Sequence, residues 1–408
     1  MSLRVLRFLS AGESHGPMLV GILDGLPAGI PIEQNVVDHD LRRRMSGHGR
    51  GKRMKIESDA ARFVGGIRHG ETIGAPVAWL IENRDWPNWE NVMGSAPVES
   101  GGIAESGNSP SAVEARSISR PRPGHADLAG GQKYDRADLR DILERASARE
   151  TASRVAAGAV ARQLLRELGI EIVSHVTRIG SATFRENSRT VTFEAAAGVD
   201  GSPVRCADAD VENAMITAID AAHDELETLG GSFEVIAQGA PPGLGSHAQW
   251  DRRLEARLAM ALLSIQAQKG VEVGPATWVA GQPGSKAHDP IYPDGAGGFT
   301  RRTNHAGGTE GGMTYGDELR LTVHMKPLAT LRQPLDSVDI ASGEEVQAVV
   351  QRSDVCAVPA AAVVGEAMVA LVLADACLEK FGGDSLGETR RNADAYREQL
   401  GRYPSSAD

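Results

Sequence analysis

The spacing of apolar residues along the chain predicts four long helices. In these segments apolar side chains recur every three to four residues, as they do on the buried face of a helix. In three of the four, the pattern stops at a glycine (Gly169, Gly270 or Gly382), a residue that commonly ends helices. The predicted helices cover residues 138–168, 210–226, 251–269 and 359–381.

Shorter runs of alternating or β-branched residues predict strands between the helices. These runs cover residues 4–9, part of 17–30, 170–179, 232–238, 271–273 and 320–324. Strands and helices do not alternate regularly, which favours an α+β fold over a doubly wound parallel sheet. A long helix, a glycine and a short strand follow one another twice, at residues 165–172 and 264–273, and this indicates an internal repeat.

Composition narrows the class of protein. The chain has 408 residues, of which 41% are hydrophobic, and no long linker, so residues 1–408 are predicted to form one domain with a large core. Neither a secretory signal nor an apolar run long enough to cross a membrane is visible, and the three cysteines lack metal-ligand spacing. We therefore expect a reduced, cytoplasmic protein without a metal site. The net charge of −11 disfavours general binding to nucleic acids.

Residues 12–16 (Gly-Glu-Ser-His-Gly) fit two incompatible interpretations. They match G-x-S-x-G, the nucleophile elbow of α/β-hydrolases, in which Ser14 would be the nucleophile. An elbow needs a helix directly behind it, whereas Gly21, Gly25 and Pro27 break the segment that follows into a strand and a turn. The alternative is a glycine-flanked loop that presents His15 for catalysis, and the sequence favours this second interpretation.

Two further segments support competing classes of protein. Residues 243–248 match the dinucleotide fingerprint G-x-G-x-x-A and would indicate a nicotinamide-dependent oxidoreductase. The loop-rich residues 274–312, however, do not continue with the βα units that such a fold requires. The basic residues 42–53 would suit a polyanion-binding protein without enzymatic activity.

Several segments carry polar side chains that would be costly to bury without a function. They cover residues 14–15, 42–53, 120–127, 145–151 and 352–354. Within a predicted helix, Arg145 and Arg149 are four residues apart and would share a face. Arginines suit phosphate and carboxylate groups, so these segments together predict a dianionic or polyanionic ligand. Two histidines and an aspartate among them are available for proton transfer.

Five motifs follow one another along the chain. They are residues 11–16 (AGESHG), 120–127 (RPRPGHAD), 144–151 (ERASARET), 303–308 (TNHAGG) and 352–356 (RSDVC). With these motifs in this order, the chain resembles the chorismate synthases. The resemblance implies a β-α-β sandwich of antiparallel sheets around central long helices. It also implies conversion of 5-enolpyruvylshikimate 3-phosphate into chorismate by anti-1,4-elimination of phosphate, with reduced FMN required although no net redox change occurs.

The resemblance also assigns roles to individual residues. His15 would protonate the departing phosphate, His125 would contact the reduced flavin, and Asp354 would manage a proton near flavin N5. Ser14 and Ser147 would lie near them. Substrate or NADP contacts would fall on Arg43 or Arg44, Arg50 and Arg149. FMN contacts would fall on Arg145, Ala146, Ser147, Gln266, Ala267, Gly311, Lys326, Pro327, Leu328, Ala329, Thr330 and Arg352.

Some positions depart from the family's pattern. Ser46 is an extra residue in the basic loop and leaves open whether Arg43 or Arg44 contacts the ligand. Ala146 stands where many members have serine, so its contact with FMN would come from the backbone, and Gln266 stands where asparagine is common.

The resemblance further implies a homotetramer, a phosphorylated small-molecule substrate and an external flavin reductase. NADPH would act only indirectly, as the reductant of the flavin. The sequence does not decide whether the chain reduces its own flavin, and it leaves the role of His305 open.

Overall fold

The computed structural model describes residues 5–51, 59–97, 117–184, 190–295, 298–350 and 354–403. The strands are β1 (Arg7–Ala11), β2 (Met18–Asp24), β3 (Arg62–Gly65), β4 (Ile67–Arg68), β5 (Glu71–Thr72), β6 (Val77–Glu82), β7 (Glu171–Ile179), β8 (Ala182–Thr183), β9 (Gly231–Gln238), β10 (Gln268–Val273), β11 (Ile291–Pro293), β12 (Phe299–Arg301), β13 (Thr309–Glu310), β14 (Met313–Thr314), β15 (Leu319–Met325), β16 (Asp336–Val338) and β17 (Glu345–Gln347). The helices are α1 (Gln34–Met45), α2 (Glu90–Met93), α3 (Asp127–Tyr134), α4 (Arg140–Ala146), α5 (Thr151–Glu167), α6 (Phe193–Ala197), α7 (Ala209–Asp224), α8 (Leu254–Leu263), α9 (Ala276–Ala280), α10 (Gly284–Ala287), α11 (Val358–Phe381) and α12 (Leu386–Leu400).

Two antiparallel sheets enclose a layer of long helices. The first sheet has the strand order β1-β2-β6-β3 and packs against α5, whereas the second has the order β10-β15-β9-β7-β8 and packs against α11. The two helices pack against each other, and α1 and α8 flank them. The α+β class and the predicted β-α-β sandwich are thus confirmed.

The core of this sandwich is built around α11. Its composition and length would allow α11 to cross a membrane, but 94% of its most apolar window is buried inside the protein. A helix that is apolar on all sides and enclosed in this way is a core helix.

The two sheets share one strand order. If the short edge strand β8 of the second sheet is left out, the first, second, fourth and third strands along the chain lie side by side in each: β1, β2, β6, β3 in one and β7, β9, β15, β10 in the other. A helix separates the second strand from the third (α1 or α8), and a long helix follows the fourth (α5 or α11). This shared order supports the predicted internal repeat, which stays a prediction. The shared order does not make residues 165–172 equivalent to residues 264–273. Residues 165–172 connect the first half of the chain to the second, whereas residues 264–273 lie within the second half.

Apolar periodicity located most of the long elements but not all their ends. The predictions for residues 210–226 and 359–381 are confirmed as α7 and α11. The predicted helix 251–269 is wrong in extent, because α8 ends at Leu263 and Gly270 lies inside β10, opposite His324. The predicted helix 138–168 is interrupted and forms α4 and α5. Strands β3 and β6 and helices α1 and α12 were not predicted.

Gly158 sets the distance between the two central helices. A Cβ atom at this position of α5 would lie 2.3 Å from the Cβ of Ala367 and 2.4 Å from its Cα on α11. Real Cβ atoms do not approach other atoms so closely, and neither helix can move without disturbing the sheet behind it. The close approach therefore requires glycine at position 158.

We predict that Gly158→Ala destabilises the protein. Alanine favours a helix over glycine by roughly 0.5–1 kcal/mol, but overpacking at the helix contact should lower the free energy of unfolding by about 1–3 kcal/mol. Urea unfolding measures this difference. Gly387→Ala is the matched control, since Gly387 is an exposed helical glycine of α12 whose added Cβ would have nothing within 4 Å. Equal stability of Gly158→Ala and the wild type would contradict the packing argument.

Candidate active site

His15 is held by the carboxylate of Glu144. It lies in the loop between β1 and β2, where its N–H donates to Glu144 Oε2 at 2.9 Å and its Nδ1 lies 2.9 and 2.8 Å from the two carboxylate oxygens. The N–H of the buried Ser14 donates to the carbonyl of Glu144 at 3.0 Å. Burial raises the pKa of Glu144, but the hydrogen bonds from His15 and the charge of Arg140 outweigh this and lower it. An ionised carboxylate therefore orients the imidazole through Nδ1.

Trp89 covers one face of the same imidazole. The two ring centroids are 3.8 Å apart and the rings are inclined by 26°. The indole Nε1 donates to Asp85 at 2.9 Å, and the guanidinium of Arg140 lies 5.3 Å from the indole centroid. Arg140 also donates to Glu144 at 2.9 Å. The ring of His15 is thus enclosed by an indole face and a carboxylate, and 16% of its side chain is exposed.

A break at Ser147 separates α4 from α5. The backbone of Ser147 is extended (φ −65°, ψ 145°), and its hydroxyl accepts from the N–H of Arg149. Serine at such a position competes with the helix for backbone donors, so the helix ends and restarts. Arg145 then donates to the carbonyl of Gly12 at 2.9 Å, whereas Arg149 enters the protein interior. The prediction that Arg145 and Arg149 share a helix face was wrong for this reason.

Arg149 and Arg44 lie on either side of one buried carboxylate. Arg149 donates to Asp59 Oδ1, and Arg44 donates to Asp59 Oδ2 at 3.3 Å. At most 6% of each of the three side chains is exposed. Guanidinium groups bind carboxylate and phosphate groups well, so this buried pair is a candidate contact for an anionic ligand.

The end of strand β6 connects this arginine pair to the loop that carries His15. Arg149 donates to the carbonyl of Glu82 at the end of β6, at 3.3 Å. The next residue, Asn83, donates its side-chain amide to the carbonyl of Gly16 at 2.8 Å. Because Asn83 follows Glu82 and Gly16 follows His15, the arginine pair and the loop that carries His15 meet at the same end of β6.

His125 forms a second histidine–carboxylate pair. Its Nδ1 lies 2.6 Å from Asp127 Oδ1, and Arg122 donates to Asp127 Oδ2 at 2.9 Å and to the hydroxyl of Thr330 at 2.8 Å. Asp127 is fully buried. Burial raises its pKa, but the hydrogen bonds from His125 and Arg122 outweigh this and lower the pKa well below its usual range. His125 is therefore oriented in the same way as His15.

Residues 326–330 lie beside the His125 motif. The N–H of Lys326 donates to the carbonyl of Ala267 at 3.0 Å, and its ammonium donates to the carbonyl of Gly124. Ala267 lies beyond the end of α8 and has a left-handed backbone (φ 66°), so the chain reverses there before β10. The strip 326–330, which includes Pro327 and Ala329, is thereby joined to residues 266–267.

Gln266 has a buried acceptor without a partner. Its Nε2 donates to Glu150 at 3.2 Å, and its Oε1 is buried with no hydrogen-bond partner among the described residues. Glu150 also accepts from Ser10 at 3.0 Å, and Ser10 accepts from Arg145 at 2.8 Å. Gln266 and Arg145, which are distant in sequence, thus meet through these two residues. An unsatisfied buried oxygen is costly, and a ligand that donates a hydrogen bond there removes the cost.

Asp354 is held by the basic loop. It accepts from Arg50 at 2.6 Å and from the N–H of Gly51 at 2.6 Å. His48 of the same loop lies 2.6 Å from Asp220 on α7. The described part of the loop is therefore packed on the protein body rather than extended into solvent. Lys52 and Arg53 lie outside the described residues.

Two hydrogen bonds connect the Asp354 segment to the strip 326–330. The carbonyl of Val355 accepts from the N–H of Leu229 at 2.8 Å. The preceding residue, Thr228, donates its hydroxyl to the carbonyl of Leu328 at 2.9 Å. The structure therefore brings Asp354 into the same region as the other two segments.

One predicted FMN residue, Gly311, is not brought to this region. Gly311 lies in the turn between β13 and β14, and the neighbouring Gly312 accepts from the N–H of Leu254, the first residue of α8. Gln266 follows the other end of this helix, about 15 Å away at 1.5 Å per residue. Within the chain, Gly311 is therefore apart from the remaining predicted residues. Arg352 lies outside the described residues.

Arg43 belongs to a separate buried cluster. Its guanidinium donates to both oxygens of Glu366, at 2.7 and 2.8 Å. Burial raises the pKa of Glu366, but the charge of Arg43 and the other arginines outweighs this and lowers it to about 2. We call the group the Glu366 cluster; its members are Asp40, Arg43, Arg162, Asp200, Arg205 and Glu366. The sequence left open whether Arg43 or Arg44 contacts the ligand. The structure separates the two residues, because Arg44 shares Asp59 with Arg149 whereas Arg43 contacts Glu366.

Three side chains of the region were missed from the sequence. Glu144 stands in one of the motifs, and its spacing from Arg140 is that of a helical ion pair, so a local signal existed. Asp59 and Trp89 are distant in sequence from the groups that they contact, and no local pattern marks them. His305, whose role was left open, packs against Trp278 with ring centroids 4.7 Å apart.

The competing interpretations do not fit this geometry. Strand β2 begins two residues after Gly16, so no elbow helix follows Ser14. The N–H groups of Gly243 and Leu244, which would hold a pyrophosphate, donate instead to Thr314 at 2.8 and 2.9 Å, and the adjoining sheet is antiparallel. Among the residues that the structure describes, no group of three or more His, Cys, Asp or Glu side chains could hold a metal ion.

Two histidines held by buried carboxylates, one of them in a loop that meets a pair of buried arginines, are features of an enzyme site that binds an anion. The sequence comparison identifies the family. The model of the chorismate synthase family matches residues 6–378. The chain belongs to the chorismate synthase family, which are carbon–oxygen lyases acting on phosphates.

Similar proteins agree over nearly the whole chain. Chorismate synthase of Streptomyces avermitilis is 55% identical over 397 residues, covering 97% of this chain and 98% of that protein. Chorismate synthase of Acidothermus cellulolyticus is 54% identical over 397 residues, covering 97% of this chain and 99% of that protein. A crystal structure of chorismate synthase is 39% identical with a TM-score of 0.77, and covers 98% of this chain and 100% of that chain.

We predict that Glu366→Gln strongly destabilises the protein. The change leaves three buried arginines facing two carboxylates, so the free energy of unfolding should fall by about 3–5 kcal/mol. The lowered pKa of Glu366 adds a pH signature. Its contribution is present above the ordinary value of 4.5 and is lost as the pH falls towards about 2. Acid unfolding of the variant should therefore depend less on pH in this window.

Asp394→Asn is the control for this experiment. It removes an exposed ion pair with Arg397 on α12 and should change the free energy of unfolding by less than about 1 kcal/mol. A Glu366→Gln variant as stable as this control would show that the cluster contributes little.

Proposed function

We propose that the protein converts 5-enolpyruvylshikimate 3-phosphate into chorismate by anti-1,4-elimination of phosphate. The observation that carries this proposal is the position of His15, which is oriented by an ionised carboxylate in a loop that meets the buried pair of Arg44 and Arg149 at the end of β6. The substrate has two carboxylates and a phosphate, so it needs cationic partners, and its leaving group needs an acid. Membership of the chorismate synthase family supports the same reaction.

Arg44 and Arg149 are the proposed partners of the substrate's anionic groups. Both are buried and both contact Asp59, and each guanidinium has five N–H donors, so it can bond to a ligand as well as to the protein. Hydrogen bonds between such groups and an anion contribute on the order of 1.5–3 kcal/mol each. Arg50 is a further proposed partner. Its guanidinium contacts Asp354 and would give up this contact to bind the ligand. Arg43 is not proposed, because the Glu366 cluster occupies its guanidinium.

His15 is the proposed acid for the departing phosphate. With Nδ1 on Glu144, a proton on Nε2 can pass to a phosphate oxygen as the C–O bond breaks. The nearby guanidinium groups would stabilise the negative charge that develops on the phosphate. Asp354 is the proposed carboxylate for a second proton transfer, and Ser14 and Ser147 would assist near it.

Reduced FMN is the proposed cofactor, and the residues present fit it. The buried Oε1 of Gln266 has no partner among the described residues and suits a hydrogen-bond donor such as a flavin N–H or a ribityl hydroxyl. When bound, the cofactor would supply an electron transiently, without net redox change. The residues that would hold it are Arg145, Ala146, Ser147, Gln266, Ala267 and residues 326–330, with His125 at the pyrimidine edge. Gly311 and Arg352 also remain proposed contacts. Gly311 lies apart from these residues within the chain, and Arg352 lies outside the described residues.

The remaining parts of the proposal concern the protein's surroundings. We place it in the cytoplasm as a homotetramer that receives reduced flavin from an external reductase, so that NADPH acts only indirectly. Membership of the chorismate synthase family supports these parts of the proposal.

Phosphate release under anaerobic conditions tests the proposed reaction. Wild-type protein with reduced FMN and substrate should release phosphate and form chorismate, whereas oxidised FMN should not support turnover. His15→Ala and Asp354→Ala should fold and bind FMN but lose roughly 10²-fold or more in turnover, because each removes a proton-transfer group. Absence of phosphate release by the wild type would overturn the proposed function, and near-normal rates in both variants would overturn the assigned roles.

Binding of FMN to Gln266→Leu tests the proposed cofactor site. Loss of the buried acceptor should weaken FMN binding roughly tenfold, since one hydrogen bond contributes about 0.5–1.5 kcal/mol. Titration of flavin fluorescence measures the dissociation constant. Gln399→Leu, at an exposed position of α12, is the control and should bind FMN as the wild type does. Unchanged affinity in Gln266→Leu would place the flavin elsewhere.

A further inference from the structure

We propose that Glu144 is a positioning residue for His15 and that Trp89 completes the arrangement by stacking on the imidazole. The inference rests on the proposed function, in which His15 acts as the acid. It assigns a task to two side chains to which the sequence had given no role.

The geometry leaves the imidazole little rotational freedom. Both carboxylate oxygens of Glu144 face Nδ1, and one of them also accepts the backbone N–H of His15. The same carboxylate thus holds the ring and the main chain to which the ring is attached. Rotation of the ring about its χ1 or χ2 bond would give up the contact with Nδ1 and the stack on Trp89.

Glu144 is itself fixed. Its carboxylate is 1% exposed and accepts from Arg140, which lies one helical turn earlier on α4. The guanidinium of Arg140 lies over the indole of Trp89, on which the ring of His15 is stacked. The four groups therefore form one closed set in which each side chain contacts two others. A residue within such a set is held close to a single orientation before any ligand binds.

This orientation matters for the protonation state of the ring. An ionised Glu144 accepts a hydrogen bond only, so Nδ1 must carry a proton. The proton that can leave is then the one on Nε2. When it passes to a phosphate oxygen of the leaving group, the ring becomes neutral and keeps its proton on Nδ1. Without the carboxylate, the neutral ring could hold its proton on either nitrogen, and part of the enzyme would present the wrong tautomer.

The kinetic test compares Glu144→Gln with Asp375→Asn. Both remove a buried carboxylate that contacts an arginine, but Asp375 holds the N–H groups of Val5 and Leu6 at 2.8 Å and lies outside the proposed site. Glu144→Gln should lower kcat by roughly 10²-fold, while KM and FMN affinity stay within about threefold. Asp375→Asn should lower the stability and leave kcat near the wild-type value. Equal kcat in the two variants would overturn the proposal.

The second test needs no turnover. Nitrogen NMR of 15N-histidine-labelled protein shows which ring nitrogen carries the proton in the neutral form, and His15→Ala identifies the signal. The wild type should show the proton on Nδ1, and Glu144→Gln should show a mixture of tautomers. A wild-type signal with the proton on Nε2 would overturn the proposal. Because this signal is independent of the reaction, the proposal can fail even if chorismate forms, and it can hold if the reaction is a different one.

Variants of Trp89 test whether stacking on the imidazole, and not packing in general, positions His15. They also provide a test if Glu144→Gln fails to fold. Trp89→Phe retains an aromatic face and should keep kcat within about threefold of the wild type, whereas Trp89→Leu should lower it roughly tenfold or more, with KM little changed. If phenylalanine and leucine gave the same kcat, the stack would have no positioning role.

Discussion

The Glu366 cluster is the constraint on which the arrangement of the site depends. A carboxylate buried in the centre of a helix layer is tolerable only if cations surround it, so Arg43, Arg162 and Arg205 must all reach one point on α11. This requirement fixes α1 against α5 and α11. Arg44, the next residue on α1, is thereby directed towards Asp59, and Asp354 lies just before the same α11. One structural cluster thus locates two parts of the proposed site that are some 300 residues apart in sequence.

The interruption at Ser147 has an equally local cause and a large effect. A continuous helix would have placed Arg145 and Arg149 on one face, where both side chains would point to the same side of the helix. The break sends Arg145 to the β1–β2 loop and Arg149 to the buried Asp59. A single short segment can therefore serve both the proposed flavin contacts and the proposed substrate contacts.

The sequence predicted those features that local patterns encode. Apolar periodicity located α7 and α11, and four of the five motifs, at residues 11–16, 120–127, 144–151 and 352–356, contain residues of the site. It failed where a distant part of the chain decides the local outcome. The end of α8 is set by the left-handed turn at Ala267, which lets Lys326 bond to that residue, and no apolar pattern reveals it. Asp59 and the indole of Trp89 acquire their partners only through the fold, so their place beside Arg149 and His15 could not be predicted.

The two histidines of the site are built in the same way. His15 is paired with Glu144 and Arg140, and His125 is paired with Asp127 and Arg122, so an arginine, an ionised carboxylate and an imidazole recur as a unit. In each unit the arginine and the carboxylate are close in sequence, four or five residues apart, and both carboxylates are buried. These pairs are therefore complete once the local segment has folded, and the imidazole needs no ligand to be oriented. The conformational cost of ordering the proton-transfer groups is met during folding, which leaves more of the substrate's binding energy for the reaction itself.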